Sequence, residues 1–310
     1  MADLPARWAP PVTHIQEILK RFSAIPGLNR PIGLVEAVLI NAIITLETCF
    51  KPEDFDEETI TAALLGALAA GLPWVVPAIG ATVREETEVS WGHYKKTTPP
   101  KNPDADDFTE ATHGADFALA LRVAPDTVRV ALFQAKRNSE RNPEFVQIYR
   151  HGRPGTATNR QFLALRSTAT AILAAVRPAT TPPAHFHWVH YLAYNANGVI
   201  CVPMSSFAGF PAFKNLKDSK KEMHAPIPAN ARSLLETLMH AVANPGCEPE
   251  GWLDLTFKQA RTHLRHLRSL MPVYVADEGE SANALLPGMR RFRVPVHVTP
   301  APSSTPRPHT

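Results

Sequence analysis

The feature that most constrains the fold is a pair of apolar segments separated by a short polar turn. Residues 115–123 and 128–136 consist mainly of alanine, leucine, valine and phenylalanine, and Pro125 and Asp126 lie between them. Proline presets a turn dihedral, and aspartate tolerates turn geometry. The pattern therefore predicts two antiparallel strands joined by a tight turn, around which a core is built.

Three polar residues lie at the open end of this hairpin. Gln134 and Lys136 alternate with Phe133 and Ala135, so in a strand the two polar side chains share one face. Asp116 would face the opposite way if the turn had two or four residues. An odd-length loop or a β-bulge would instead place Asp116 beside or diagonal to Gln134 and Lys136. A site at this end therefore requires one of these two irregularities.

The segment Gly114-Ala115-Asp116, followed by Gln134-Ala135-Lys136, resembles the PD-(D/E)xK nuclease superfamily, which has the restriction-endonuclease-like fold. The variant is QxK, with glutamine in place of the second acid, and the resemblance covers roughly residues 55–205. It implies that Asp116 binds Mg²⁺, that Gln134 completes the metal shell, and that Lys136 stabilises charge or positions the attacking water. Glutamine offers only a neutral oxygen, so a further acid is expected at the metal.

Two glutamates are candidates for that acid. Glu58 opens an apolar helical run, and the family often supplies a glutamate from its first core helix. Glu110 lies shortly before Asp116, where related sequences carry a glutamate. The resemblance thus predicts Asp116, Gln134, Glu58 and Glu110 as metal ligands, and the same residues with Lys136 as the catalytic set. Gln161 resembles a glutamine that some family members carry on the helix after the lysine strand, with an exposed polar residue as the alternative.

The periodicity of apolar residues predicts an α/β protein. The predicted helices are 32–47, one from Glu57, 159–176, 231–243 and 252–270. The predicted strands are 115–123, 128–136, 186–194 and 199–202, and residues 83–94 are predicted as a strand or a hairpin. This order matches a restriction-endonuclease-like core, α-β-β-β-α-β, with a mixed central sheet flanked by helices and with helical N-terminal and C-terminal additions. We divide the chain into a helical element (1–50), the nuclease-like core (51–205), an accessory region (206–298) and a disordered tail (299–310).

Basic residues follow the predicted site. Between residues 137 and 177 there are seven arginines and two acids, and a second basic stripe lies beside the apolar seam of the predicted helix 252–270. Arginine pairs bidentately with phosphate, so both groups suit a polyanion, and a solvated face is the alternative for each. The predicted nucleic-acid-binding residues are Arg137, Arg141, Arg150, Arg153, Arg160, Lys258, Arg261, Arg265 and Arg268.

These patterns predict a Mg²⁺- or Mn²⁺-dependent nuclease, with DNA as the partner and endonucleolytic cutting as the first expectation. The alternative is a nucleic-acid-binding protein that keeps the fold without catalysis. Defence against foreign DNA, or use as a toxin, is implied by the resemblance alone. The sequence has no Gly-x-x-x-x-Gly-Lys-Ser/Thr, Gly-x-Ser-x-Gly or His-Glu-x-x-His motif. A homodimer is left open.

The composition predicts a cytoplasmic protein. The chain has 310 residues, a formal net charge of +3 and three widely spaced cysteines, which favours a reducing compartment. The N-terminus lacks the basic and apolar regions of a signal peptide. Residues 61–83 are uncharged and mostly apolar, but glycines and prolines interrupt them, so we expect a buried helix and a turn there; a membrane span is the weaker alternative.

Overall fold

The fold is known from a computed structural model that describes eleven stretches of the chain. They are residues 34–49, 54–70, 90–93, 114–138, 143–149, 161–177, 186–195, 198–207, 223–242, 248–270 and 273–277.

The described elements are five helices and ten strands. The helices are α1 (Leu34–Cys49), α2 (Glu57–Ala70), α3 (Gln161–Val176), α4 (Leu234–Val242) and α5 (Phe257–Leu270). The strands are β1 (Ser90–His93), β2 (Phe117–Ala124), β3 (Thr127–Arg137), β4 (Phe145–Tyr149), β5 (Val189–Asn195), β6 (Gly198–Pro203), β7 (Met223–Pro226), β8 (Arg232–Ser233), β9 (Leu253–Thr256) and β10 (Val273–Asp277). The predicted α/β class is confirmed.

A mixed eight-stranded sheet forms the centre of the fold, in the order β1-β10-β2-β3-β5-β6-β8. The pairs β10–β2 and β3–β5 are parallel, whereas β1–β10, β2–β3, β5–β6 and β6–β8 are antiparallel. The eighth strand, β9, lies off this order and pairs with β3. Along one edge, β3 has two partners, because Thr127–Val130 pairs with β9 and Leu132–Arg137 pairs with β5. Strand β3 is therefore the axis of the sheet.

Helices cover both faces of this sheet. On one face, α1, α2 and α4 pack with Phe117, Phe133 and Tyr194 in one buried cluster. On the other face, α3 and α5 pack with Ala118, Leu132 and other residues in a second cluster. Because strand side chains alternate between faces, β3 is buried on both sides except at Thr127 and at its last two residues.

A β-bulge sets the register of the central hairpin. Phe117 pairs with Phe133 and Arg122 with Val128, but Ala124 pairs with Thr127, so the register shifts by one residue between Arg122 and Ala124. This is the irregularity that the sequence required. Because of this bulge, Asp116 lies opposite Gln134 rather than Ala135.

The secondary structure differs from the sequence predictions in several places. No element was predicted between the strand 128–136 and the helix 159–176, but Phe145–Tyr149 is a strand that pairs with β7 in a separate two-stranded sheet. Strands β7, β8 and β10 were not predicted either. The predicted helix 252–270 begins only at Phe257, because Leu253–Thr256 is strand β9. Thr256 and Gln259 form a capping box there, with Gln259 N donating to Thr256 Oγ1 at 3.3 Å and Thr256 N donating to Gln259 Oε1 at 2.9 Å.

The region after residue 205 contributes directly to the central sheet. Strands β8, β9 and β10 all belong to it, and β10 lies between β1 and β2. The apolar stretch 61–83 is described only up to residue 70, where α2 ends, and none of the described helices is long and apolar enough to cross a membrane.

Candidate functional site at the end of β3

Asp116 is held at the start of β2 by the neighbouring strand. Its backbone N donates to Phe133 O at 2.8 Å, and its carboxylate oxygen Oδ2 accepts hydrogen bonds from Ala135 N at 2.6 Å and from Gln134 Nε2 at 2.7 Å. The carboxylate is thus fixed against the end of β3 and stays half-buried. The structure brings Asp116 and Gln134 together, as the sequence predicted.

Glycine is required two residues before this aspartate. Gly114 has a φ of 71°, a backbone conformation that favours glycine. A Cβ atom at this position would lie 2.6 Å from Leu165 N and would also collide with the backbone oxygen of Gln161. The first turn of α3 therefore packs directly on the segment that carries Asp116. Gln161 is brought to this end of the sheet by the same contact.

Gln134 is fully buried, and the two ends of its amide differ. Nε2 donates to Asp116 Oδ2 and, at 3.2 Å, to Ala135 O. Among the described residues, no group donates to Oε1, although this oxygen is buried. A buried carbonyl oxygen without a donor is uncommon and is a reason to expect a ligand nearby.

Lys136 pairs with a glutamate of α2. Its Nζ lies 3.1 Å from Glu57 Oε1, and Glu57 Oε2 accepts a hydrogen bond from Arg137 N at 3.1 Å. Arg137 also donates from its guanidinium to Phe55 O at 2.8 Å. The start of α2 is therefore tied to the end of β3 through Glu57, and Arg137 is part of that link.

The acid that the structure brings to Lys136 is Glu57, whereas Glu58 is exposed to solvent. Helical periodicity explains the difference, because Glu57 lies on the same stripe as the buried Thr61 and Leu64. That spacing was visible in the sequence and could have selected Glu57. Glu110, the other predicted acid, lies outside the described residues.

Two buried tyrosines of β5 lie on opposite faces beside this site. Tyr191 pairs with Gln134 in the parallel ladder. Burial raises the pKa of the Tyr191 hydroxyl, and the negative charge of Asp116 raises it further. Tyr194 bonds to Thr61 Oγ1 at 3.0 Å, and burial likewise raises the pKa of its hydroxyl. Neither tyrosine was singled out in the sequence, since a tyrosine in a buried strand gives no distinct signal.

The residues that could hold a cation here are Asp116 and Gln134. Within the described stretches, no three His, Cys, Asp or Glu side chains are grouped so that they could hold a metal ion. A carboxylate and an amide carbonyl are nevertheless the hard oxygen ligands that Mg²⁺ prefers. The Oε1 of Gln134 fits such a role, because no group among the described residues donates to it.

The basic helix α5 runs along the face that carries Asp116. Phe257 N donates to Asp126 Oδ1 at 3.2 Å, so α5 begins at the hairpin turn. Val273 pairs with Ala118, so the chain after α5 has returned to the Asp116 end. Lys258 is exposed near the turn, and the Arg261 guanidinium lies 5.8 Å from the ring centroid of Phe257. The side chains of Arg265 and Arg268, and all of Arg141, Arg150, Arg153 and Arg160, lie outside the described set.

A second polar region is a cavity of ≈ 250 Å³ lined partly by His187 and His190. His190 Nε2 donates to Gly251 O at 2.8 Å, and burial lowers the pKa of His190 to about 4, so its ring is neutral. Burial raises the pKa of the Cys201 thiol to about 12, which makes it a poor nucleophile. These groups are typical of a packed interior, and we place the candidate site at Asp116.

No protein-family model matches the sequence, and no curated protein or solved structure matches it either. The chemistry of the site therefore has to be inferred from its own residues.

Proposed function

We propose that the protein is a divalent-metal-dependent nuclease with a restriction-endonuclease-like core, and that it cuts DNA endonucleolytically. The observation that carries the proposal is the pairing of Asp116 with Gln134 at the end of β3, with Lys136 two residues further along the same strand. A bulge creates this pairing, because without it Asp116 would lie opposite Ala135.

Each residue of the site would have a separate role in cleavage. A divalent cation at Asp116 would lower the pKa of a bound water and stabilise the negative charge of the phosphate. Asp116 and Gln134 would hold the cation through a charged and a neutral oxygen. The Lys136 ammonium would face the developing charge on the phosphate, and Glu57 holds that ammonium at 3.1 Å. Glu57 thereby keeps a second negative charge at the same end of the sheet.

The path of α5 supports a polyanionic substrate. The helix has 14 residues and so spans about 20 Å. It starts at the hairpin turn and ends near the residues that pair with the start of β2. Its basic residues therefore extend toward the Asp116 end, where a phosphate backbone would enter.

The test is cleavage by the purified protein in Mg²⁺ and in Mn²⁺, using linear, circular and single-stranded DNA and RNA. Asp116→Ala and Lys136→Ala should each reduce the cleavage rate at least about 100-fold, since each removes a group at the reacting centre. Asp54→Ala, an exposed aspartate, is the matched control and should cleave like the wild type. Full cleavage by Asp116→Ala would rule the proposal out.

Glu57 and Glu58 provide an internal comparison. Glu57→Gln removes the charge that pairs with Lys136 and should lower the cleavage rate, whereas Glu58→Gln changes an exposed side chain. The sequence favoured Glu58 as the acid, so loss of cleavage in Glu58→Gln alone would restore that assignment.

Binding without catalysis is a second candidate function. This candidate is favoured because the site residues already bond to one another. Asp116 Oδ2 accepts two hydrogen bonds, and Lys136 is paired with Glu57. In that case labelled DNA would bind with a steep salt dependence and remain uncut in both metals.

A further inference from the structure

Tyr194 of β5 joins the start of α2 to the end of β3 through a series of hydrogen bonds. Its hydroxyl oxygen lies 3.0 Å from Thr61 Oγ1, and Thr61 Oγ1 donates to Glu57 O at 2.8 Å. The backbone oxygen of Tyr194 accepts a hydrogen bond from Asn138 N at 2.9 Å, directly after β3. Because the Glu57 carboxylate bonds to Lys136, the series returns to the end of β3, where it began.

The direction of these hydrogen bonds follows from the number of donors. A threonine hydroxyl has one hydrogen, and Thr61 uses it on Glu57 O, so the Tyr194 hydroxyl is the donor to Thr61 Oγ1. Burial raises the pKa of the Tyr194 hydroxyl, and the charges of Asp116 and Glu57 raise it further. The hydroxyl therefore keeps its proton at neutral pH and remains a donor to α2.

The bond at Thr61 fixes which face of α2 meets the sheet. Asp56 caps the helix, with its Oδ1 accepting from Thr59 N at 2.7 Å, but a cap does not set the rotation of a helix about its axis. Residues four positions apart lie on the same helical face, so a bond from Thr61 to β5 also directs Glu57 toward the sheet. Tyr194 and Thr61 are both buried, which keeps water from competing for this bond.

We propose that Tyr194 is a positioning residue for the Lys136 ammonium and that it acts through Thr61 and Glu57. The inference rests on the proposed metal-dependent cleavage, in which Lys136 faces the developing charge on the phosphate. Glu57 Oε1 lies 3.1 Å from Lys136 Nζ, and Glu57 Oε2 accepts from Arg137 N at 3.1 Å. A shift of the first turn of α2 would therefore loosen both contacts together.

The positioning can be measured without cleavage, by amide hydrogen exchange of the full chain followed by NMR. Tyr194→Phe keeps the ring and removes the donor, so exchange at Arg137 N should become about tenfold faster as Glu57 Oε2 loses its fixed place. Ala135 N, which donates to Asp116 Oδ2 at 2.6 Å, is the internal reference and should keep its rate. Equally faster exchange at both amides would mean a general loss of stability and would overturn the inference.

Cleavage kinetics test the consequence for the reaction. Tyr194→Phe should lower kcat about tenfold and leave KM nearly unchanged, because Lys136 acts on charge that develops only in the transition state. In a Glu57→Ala background the same substitution should lower kcat less than about twofold, since no carboxylate remains to be positioned.

Thr61 provides a second pair of variants, which decides the question even if Tyr194→Phe does not fold. Thr61→Val removes Oγ1 and should reproduce both effects, whereas Thr61→Ser keeps a hydroxyl and should behave like the wild type. Thr170→Val on α3 is the matched control. Its Oγ1 donates to Arg166 O at 2.8 Å, the same bond to the carbonyl four residues earlier, and its loss should change neither measurement.

The outcomes separate this inference from the proposed function. Unchanged exchange at Arg137 in both Tyr194→Phe and Thr61→Val, or an equal loss of kcat in both Glu57 backgrounds, would overturn the role of Tyr194 and leave the nuclease proposal intact. A wild type that cleaves no nucleic acid would overturn the proposed function and the role of Tyr194 in cleavage. The exchange rates at Arg137 would still show whether Tyr194 positions Glu57.

Discussion

The two ends of β3 both bury polar side chains, but they use them differently. Near the hairpin turn, Arg129 is completely buried; its Nε lies 3.0 Å from Asp254 Oδ1, and its NH1 donates to Ala241 O. At the other end, the buried Gln134 has an oxygen without a donor among the described residues, and the partly exposed Lys136 pairs with Glu57.

The contrast supports the proposal that the Arg129 end is structural and that the Gln134 end binds the metal. A buried charge with good partners contributes to a defined fold, and removal of one partner is strongly destabilising. A buried oxygen left without a donor weakens the fold and persists where a ligand uses it. We therefore expect substitutions at the Arg129 end to reduce stability and substitutions at the Gln134 end to reduce metal binding and cleavage.

The largest stability effect should come from the Arg129 end. Arg129→Met leaves Asp254 without its buried partner and should lower the free energy of unfolding by about 3–5 kcal/mol, measured by urea denaturation. Lys136→Met removes a partly exposed ion pair and should lower it by about 1 kcal/mol or less. An Arg129→Met, Asp254→Leu double variant should recover most of the loss. Similar losses for Arg129→Met and Lys136→Met would remove the contrast.

His190 lies between the two ends, opposite Phe133. Because it is buried, we expect the free energy of unfolding to depend on pH. Its pKa is about 4 in the folded protein against an ordinary 6.5, because burial disfavours the charged ring. The unfolded chain therefore takes up the proton first as pH falls. The contribution of neutral His190 to the free energy of unfolding is therefore complete above pH 6.5. It is lost as pH falls from 6.5 to 4, and the loss amounts to about 3 kcal/mol.

The measurement is urea denaturation at several values between pH 7 and pH 4. His190→Gln should lack this part of the pH dependence, whereas His224→Gln, an exposed histidine, should keep it. An unchanged profile in His190→Gln would show that other groups set the acid sensitivity.

A matched pair of glycines tests the contact that supports Asp116. Gly114→Ala places a methyl group against α3 at a φ of 71° and should lower the free energy of unfolding by at least about 2 kcal/mol. Gly66→Ala, in an open position on α2, should raise it by about 0.5–1 kcal/mol. Thermal unfolding distinguishes the two signs. A neutral Gly114→Ala would mean that α3 does not pack closely on this segment.

Much of the central sheet could be predicted from the sequence, because its signals are local. Alternating apolar residues and the turn at Pro125 predict the hairpin. The orientation that the site requires of Asp116 predicts either an odd-length loop or a bulge, and the structure has the bulge. The pairing of β10 between β1 and β2 could not be predicted, since strand order depends on contacts between residues more than 150 positions apart. The assignment of β9 to a helix failed because Leu253 also fits the helical seam that continues with Phe257 and Ala260, and the Thr256 capping box was overlooked.

The candidate site shows the same limit. Asp116, Gln134 and Lys136 were visible because strand alternation is regular, whereas Tyr191 enters only through the parallel pairing of β3 with β5. Glu57 and Glu58 open the same helix, and the sequence prediction named Glu58. The correct choice depends on which helical face meets the sheet.

Substitutions of the basic residues should have the smallest effects, and these effects concern DNA binding. An Arg265→Ala, Arg268→Ala variant and an Arg150→Ala, Arg153→Ala variant should bind labelled DNA more weakly, and each lost phosphate contact should flatten the log-log salt dependence by about one unit. Lys258→Ala, at the hairpin end, should change the slope less than the Arg265, Arg268 pair. Mn²⁺ affinity should be unchanged in all three. Unchanged slopes would show that these residues are solvated faces.

The central claim is that the Gln134 end of β3 binds a divalent cation. The most direct measurement is anomalous diffraction from crystals grown in Mn²⁺. We predict a peak about 2 Å from an Asp116 carboxylate oxygen and from Gln134 Oε1, with the hydrogen bond between Gln134 Nε2 and Asp116 broken. No peak at Asp116 in saturating Mn²⁺, with that hydrogen bond intact, would contradict the claim and make both ends of β3 structural.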